Sequence, residues 1–143
     1  MTEQPGGAVA DFEHAIDRYL GVLEAAVMRV AWRVGPVTVR DVLSAVNADR
    51  ARPLAYTTVM TIMGRLAEKG LLRRTRVGRA DLYEPSQNSD GFLRALSRRR
   101  IRSLIEDFGE LAIAEFYAEL DQVDPEQRRR LKRLAARARR EDR

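Results

Sequence analysis

The stretch from Leu54 to Tyr83, LAYTTVMTIMGRLAEKGLLRRTRVGRADLY, constrains the fold more than any other. Val59, Ile62, Met63 and Leu66 recur at the i, i+3, i+4, i+7 spacing of a helix with one buried face. At about 100° per residue, Thr57, Thr61, Gly64 and Glu68 fall opposite that face, with Thr58 and Arg65 on its flank. The exposed side therefore carries short hydrogen-bonding groups and one long cation. Gly70 stands where a left-handed residue ends a helix, after Lys69, whose charge suits the negative end of the helix dipole. Two extended runs then flank Val77-Gly78-Arg79, the first with Arg73, Arg74 and Arg76, the second with Leu82 and Tyr83. A glycine between such runs predicts a hairpin turn. Leu82 and Tyr83 alternate, so one of them packs inward, and Pro85 ends the strand because it has no N–H to donate.

The preceding residues supply the elements that such a helix and hairpin need. Residues 1–9, with Pro5, Gly6 and Gly7, read as a tail. Phe12, Ile16, Tyr19, Leu20, Leu23 and Val27 keep helical spacing across Gly21, predicting a short helical turn and then a first helix from about Leu20 to Arg33, with Trp32 as a core anchor. Gly35-Pro36 stops that helix, and Val37 is a candidate lone strand. Thr38 reads as an N-cap with Asp41 in the first turn, and Val39, Val42, Leu43 and Val46 give the second helix its stripe. Residues 47–53 read as a polar connection. The order helix, short strand, helix, helix, strand, turn, strand is that of a winged helix-turn-helix.

Charge narrows the function. The net charge of +5 resolves into −3 for residues 1–49, +9 for 50–103, −8 for 104–127 and +7 for 128–143. The +9 block coincides with the proposed helix and hairpin, and a phosphate backbone is the natural partner of such a face. The other reading of this charge is that 24 of the 26 cations are arginine, as genomic base composition alone can produce, and that many merely solvate helices. There is no cysteine and His14 is the only histidine, which excludes disulfides, thiolate chemistry and imidazole clusters within one chain. No phosphate loop or nucleophile arrangement accompanies acidic pairs such as Glu106-Asp107, so catalysis, metal and cofactor are not expected. No apolar run reaches the length of a membrane span and the N-terminus lacks signal-peptide features, so membrane insertion is not expected and a cytoplasmic location is.

The runs AAVMRVAW (25–32), VTVRDV (37–42), AYTTVMT, RLAEKGLL and GRADLYEP resemble the penicillinase and methicillin repressors, the BlaI/MecI family, over about residues 20–120. The resemblance implies a mainly α fold with a small β wing: a winged helix-turn-helix followed by a helical dimerisation region. It implies a homodimeric repressor whose third helix enters the major groove of palindromic double-stranded DNA of TACA/TGTA type, and control of beta-lactam or cell-envelope stress genes. Some members answer to a membrane sensor-protease that leads to repressor cleavage. The DNA-facing positions that match are Tyr56, Thr57, Thr58, Thr61 and Arg65, with Arg74, Arg76 and Arg79 on the wing. Threonine hydroxyls donate to phosphates and threonine methyls touch thymine methyls, while Arg65 either reads guanine or clamps a phosphate. The copper-responsive branch uses a cysteine cluster that this chain lacks. Staphylococcal members are cleaved at an Asn-Phe bond where this chain has Glu115-Phe116.

The domains expected are an N-terminal extension over 1–19, a winged helix over 20–86 and a dimerisation region over 87–143. A helix starts at Asn88 or Ser89 with Phe92, Leu93 and Leu96 on one side. Farther on, Ile101, Leu104, Ile105, Phe108, Ile113, Phe116, Tyr117 and Leu120 recur at helical spacing and exceed what a small winged helix covers. They are the candidate dimer interface, the other reading being that these helices fold back on their own domain. Asp124-Pro125-Glu126-Gln127 is a helix start, and Leu131, Leu134, Ala135 and Ala138 form a narrow stripe on the basic helix that follows. The alternative to a sequence-specific repressor is a non-specific, architectural DNA-binding protein, for which arginine richness alone suffices.

Overall fold

The computed structural model describes residues 7–141, with side chains from His14 to Arg140. The chain divides into two compact units, Met1–Ala95 and Leu96–Arg143.

The first unit opens with α1 (Gly7–Leu20) and α2 (Val22–Val34), where a short turn and one helix were expected. Gly21, at φ +83°, is the reason for the difference: it takes a backbone conformation that side-chain-bearing residues avoid and breaks the run into two helices. The segment before it is a full helix because Ile16 and Leu20 are buried in the common core. Of the expected tail, residues 1–6 lie outside the described residues, residues 7–9 are helical, and the side chain of Phe12 is not among those described.

Val37 follows as an isolated bridge to Tyr83, each residue donating its N–H to the other's carbonyl at 2.8 Å. Thr38 caps α3 (Val39–Asn47) through a reciprocal pair. Its hydroxyl accepts from the Asp41 N–H at 3.2 Å, and the Asp41 carboxylate accepts from the Thr38 N–H at 2.9 Å. Hydrogen bonds from Thr38 to the carboxylate, that from its backbone N–H first and from its side chain second, hold the Asp41 carboxyl below its ordinary pKa. α4 (Tyr56–Glu68) buries Val59, Ile62, Met63 and Leu66, as its spacing predicts. It ends with Gly70 donating to the Ala67 carbonyl at 3.0 Å and Leu71 to the Leu66 carbonyl at 2.9 Å, the paired bonds of a Schellman motif.

The antiparallel hairpin of β1 (Leu72–Val77) and β2 (Ala80–Pro85) pairs Leu72 with Pro85 and Val77 with Ala80. Its two-residue loop has Gly78 at φ +63° and a non-positive φ at Arg79, which is the pattern of a type II′ turn. Of the alternating pair, Tyr83 faces the core at 3% exposure. Fully buried Val27, Met28, Val37, Val42, Val59, Met63 and Leu66 knit α2, α3, α4 and the bridge together. Trp32 is only half-buried, and its indole N–H donates to the Gln87 carbonyl at 3.0 Å.

α5 (Ser89–Phe108) begins where Asn88 accepts the Gly91 N–H at 2.7 Å. It continues into the second unit, which adds α6 (Glu110–Asp121) and α7 (Pro125–Glu141). Asp124 caps α7 by accepting the Gln127 N–H at 2.9 Å. Among the described residues of this unit none is buried. Mainly α with a small β wing is thus the observed fold class. No described helix is long and apolar enough to cross a membrane.

Candidate nucleic-acid interface

The first turn of α4 is built to leave donors free. Its N-cap, Ala55, has no side chain able to accept a hydrogen bond, so the leading N–H groups of the helix have no side-chain acceptor. Tyr56, Thr57 and Thr58 at this end are all exposed, and Thr61 and Arg65 continue the exposed face. The Thr61 hydroxyl donates back to the Thr57 carbonyl at 2.9 Å, which leaves its methyl and oxygen lone pairs as its outward features.

The helix is held in place from behind. Asn47 acts on the connection before α4 like a strand partner: its amide donates to the Leu54 carbonyl at 3.0 Å and its side-chain oxygen accepts the Leu54 N–H at 2.8 Å. At the other end, Lys69 reaches Glu24 of α2 at 3.2 Å. Gly64 has no heavy atom within 4 Å of where a Cβ would stand, so its lack of a side chain relieves no clash within the chain.

The wing arginines are not equivalent. Arg74 and Tyr83 are cross-strand partners, and a hydrogen bond to the Tyr83 hydroxyl is the main reason the Arg74 guanidinium is raised above its ordinary pKa, with Asp81 and Glu68 adding to it. Arg76 stands opposite Asp81 with a 3.8 Å contact, and Arg73 pairs with Glu84 at 3.2 Å. Arg79 sits in the exposed turn. All eight DNA-facing residues read from the sequence are exposed, five along α4 and three on the wing that packs on it through β1.

One residue escaped the sequence reading. Arg40, exposed on α3, places its guanidinium 5.8 Å from the centre of the Tyr56 ring. It adds a cation beside the free helix start and steadies the tyrosine. The valine spacing of VTVRDV already turns Arg40 outward, but its proximity to Tyr56 depends on how α3 packs on α4.

Of the candidate dimerisation residues, Ile101, Leu104, Ile105, Ile113, Phe116, Tyr117 and Leu120 come together, with Ala112, around one groove of about 240 Å³ in the second unit. Phe108 lies outside its lining and is 59% exposed. Among the described residues no group of three or more His, Cys, Asp or Glu side chains is placed to hold a metal ion.

The sequence model of the family described as Penicillinase repressor matches residues 20–137. The chain belongs to the penicillinase repressor family. The transcriptional regulator BlaI of Mycobacterium tuberculosis is 47% identical over 78 residues, the same figure holding for strains CDC 1551 / Oshkosh and ATCC 25618 / H37Rv. That match covers 54% of this chain and 55% of the regulator, so the chain spans about half the length of the curated relatives it matches. Among solved structures, the DNA binding domain of the repressor BlaI is 24% identical and covers 63% of this chain and 93% of that one, with a TM-score of 0.39. Transcriptional regulator PA4135 is 17% identical and covers 82% and 90%, with a TM-score of 0.45. The penicillinase repressor assignment rests on the sequence match and agrees with the helix, helix, wing order of the first unit.

Proposed function

We propose that this member of the penicillinase repressor family is a homodimeric transcriptional repressor that binds palindromic operators of TACA/TGTA type. The observation that carries the reading is the exposed, side-chain-uncapped, threonine-bearing start of α4. Free N–H groups at a helix start favour a phosphate oxygen, and the positive end of the dipole reinforces them. Tyr56, Thr57 and Thr58 add hydroxyl donors at the same place. Thr61, its hydroxyl turned inward, offers its methyl to a thymine methyl, and Arg65 reaches a guanine edge or a phosphate. The turn arginine Arg79, with Arg74 and Arg76, takes the flanking backbone. Two copies joined through the second unit place two such helices on half-sites about 10 bp apart. Support for the joining is the second unit itself, where Ile101, Leu104, Ile105, Ile113, Phe116 and Tyr117 of the groove lining stay exposed in one copy. Repression follows sterically, since a dimer on a promoter excludes polymerase. We further propose that the genes controlled are those of beta-lactam or cell-envelope stress and that the upstream partner is a membrane sensor-protease or its downstream protease, acting at a bond other than the Glu115-Phe116 that replaces Asn-Phe.

Fluorescence anisotropy on the chain's own promoter region tests this. Affinity falls with salt at a log–log slope of about −0.9 per phosphate contacted, and random competitor displaces the protein poorly. Equal affinity for scrambled DNA refutes sequence-specific repression. The arginine richness of the chain favours one other reading, a non-specific DNA-coating protein. Replacing Thr57 and Thr61 by alanine separates the two: a repressor loses discrimination between sequences, whereas a coating protein barely changes.

A further inference from the structure

A glycine inside a helix is less favourable than alanine, because it loses more backbone freedom on folding. Gly64 lies inside α4, between Met63 and Arg65 and away from either end. It is not among the glycines with a positive φ, so the backbone does not call for it. No atom beyond its own helix backbone and chain neighbours stands within 4 Å of where a Cβ would be, so packing in the first unit does not call for it either. What the missing side chain serves therefore lies outside the chain.

At about 100° per residue, Gly64 faces away from the core and is bordered by Met60 and Thr61 one turn before it and by Glu68 one turn after. The result is a gap of one methyl group on the face of α4 that carries the threonines. Its border is chemically selective. Met60 is a large apolar side chain 45% exposed. Thr61 gives its hydroxyl proton to the Thr57 carbonyl at 2.9 Å and so turns its methyl outward. Glu68, exposed at the far side, repels a phosphate, so a base edge is the better occupant of this part of the helix. The net charge of +9 over residues 50–103 brings the duplex to this face. In the major groove only thymine carries a methyl group on its edge.

We propose that Gly64 is a specificity-determining residue: the space it leaves on α4 receives the C5-methyl of one thymine in each half-site, between Met60 and the Thr61 methyl. This rests on the repressor reading above and names a base that the same face reads. The thymine methyl packs against the bare backbone at the ordinary carbon contact of about 3.5–4.0 Å. An alanine at this position puts its own methyl where that of the thymine belongs, so the two compete for one space. Helix stability and operator affinity are then set against each other at a single residue.

The test uses the full chain and three kinds of duplex: the operator, the operator with each thymine pair replaced in turn by deoxyuridine, which removes only the methyl, and a scrambled sequence. The wild type is expected to lose about fourfold per half-site at one thymine position, the worth of burying one methyl. Gly64→Ala is expected to unfold at a higher temperature than the wild type, since the helix gains propensity and meets no clash. On the operator it is expected to lose at least about tenfold in affinity through overpacking. On the duplex carrying deoxyuridine at the sensitive position, its deficit against the wild type is expected to shrink below about threefold, because the vacated space takes the alanine methyl. Gly64→Ala binding the operator as the wild type does, or losing equally on both duplexes, overturns this inference alone, provided that the wild type discriminates operator from scrambled DNA. A wild type that binds scrambled DNA as tightly as the operator overturns the repressor reading and this inference together.

Discussion

Asn47 does with a side chain what a neighbouring strand does with its backbone, donating to and accepting from Leu54 at once. The two bonds fix the last residues before α4, so in the proposed repressor their loss is expected at the proposed DNA-facing side as well as in stability. Asn47→Ala leaves a partly buried N–H and C=O without that partner and is expected to cost about 2 kcal/mol at roughly 1 kcal/mol per bond, measured by urea unfolding. Asn47→Asp keeps the acceptor and loses the donor, setting a carboxylate oxygen against the Leu54 carbonyl, so it rescues nothing. The Thr38–Asp41 capping pair makes a pH prediction of defined sign. The Asp41 carboxyl is lowered in the folded chain by hydrogen bonds from Thr38. Its contribution is therefore fully present above the unfolded carboxylate value, near 3.8, and is lost as pH falls through the lower folded value. The stability difference between the wild type and Asp41→Asn, followed by thermal unfolding, is expected to be constant near neutrality and to shrink below pH of about 4.

Among elements, the wing separates cations by how far they are already engaged. Arg76 faces Asp81 and Arg74 leans on Tyr83, whereas Arg79 projects from the turn. Arg79→Ala is expected to lower affinity for operator and random DNA alike and to reduce the salt slope by about 0.9, the loss of one phosphate contact. Asp81→Ala, by releasing Arg76 and removing an anion, is expected to raise affinity for both. Titrations between about 50 and 200 mM salt measure each. The wing and α4 were legible in the sequence because their signals are local: a 3.6-residue apolar period, a glycine after the last turn, and a glycine between two extended runs. The N-caps at Thr38 and Asp124 were legible for the same reason, since each spans only three residues, whereas the return bond from the Thr38 N–H to the Asp41 carboxylate was not read. α1 was not fully legible. Gly21 interrupts its period, and the residue that gives Tyr19 a partner, Phe92, lies 73 positions away in the sequence. Arg40 was missed for the same physical reason, because its value comes from a ring on another helix.

At the scale of the whole molecule, the two units differ in what they bury. The first closes a core over Met28, Met63 and Leu66, while the second leaves Ile101, Ile113, Phe116 and Tyr117 each more than 40% exposed around one groove. Apolar side chains on this scale, left in water, favour a second copy that covers them. The anionic setting of residues 104–127 makes this surface sensitive to one more negative charge, since two copies bring two such segments together. Phe116→Glu removes an apolar contact and adds a carboxylate that must be desolvated if the groove is covered. Because Phe116 is 57% exposed in one copy, the substitution is expected to leave helical content and thermal unfolding of the first unit nearly unchanged. Sedimentation equilibrium is expected to show a dimer for the wild type and a monomer for Phe116→Glu at micromolar concentration. The DNA consequence follows from geometry: a monomer contacts one half-site, so the salt slope falls to about half, each phosphate contact contributing about 0.9. A Phe116→Glu protein that remains dimeric assigns the interface to other residues, and one that is monomeric yet keeps the full salt slope and operator affinity shows that each copy holds DNA without needing the other.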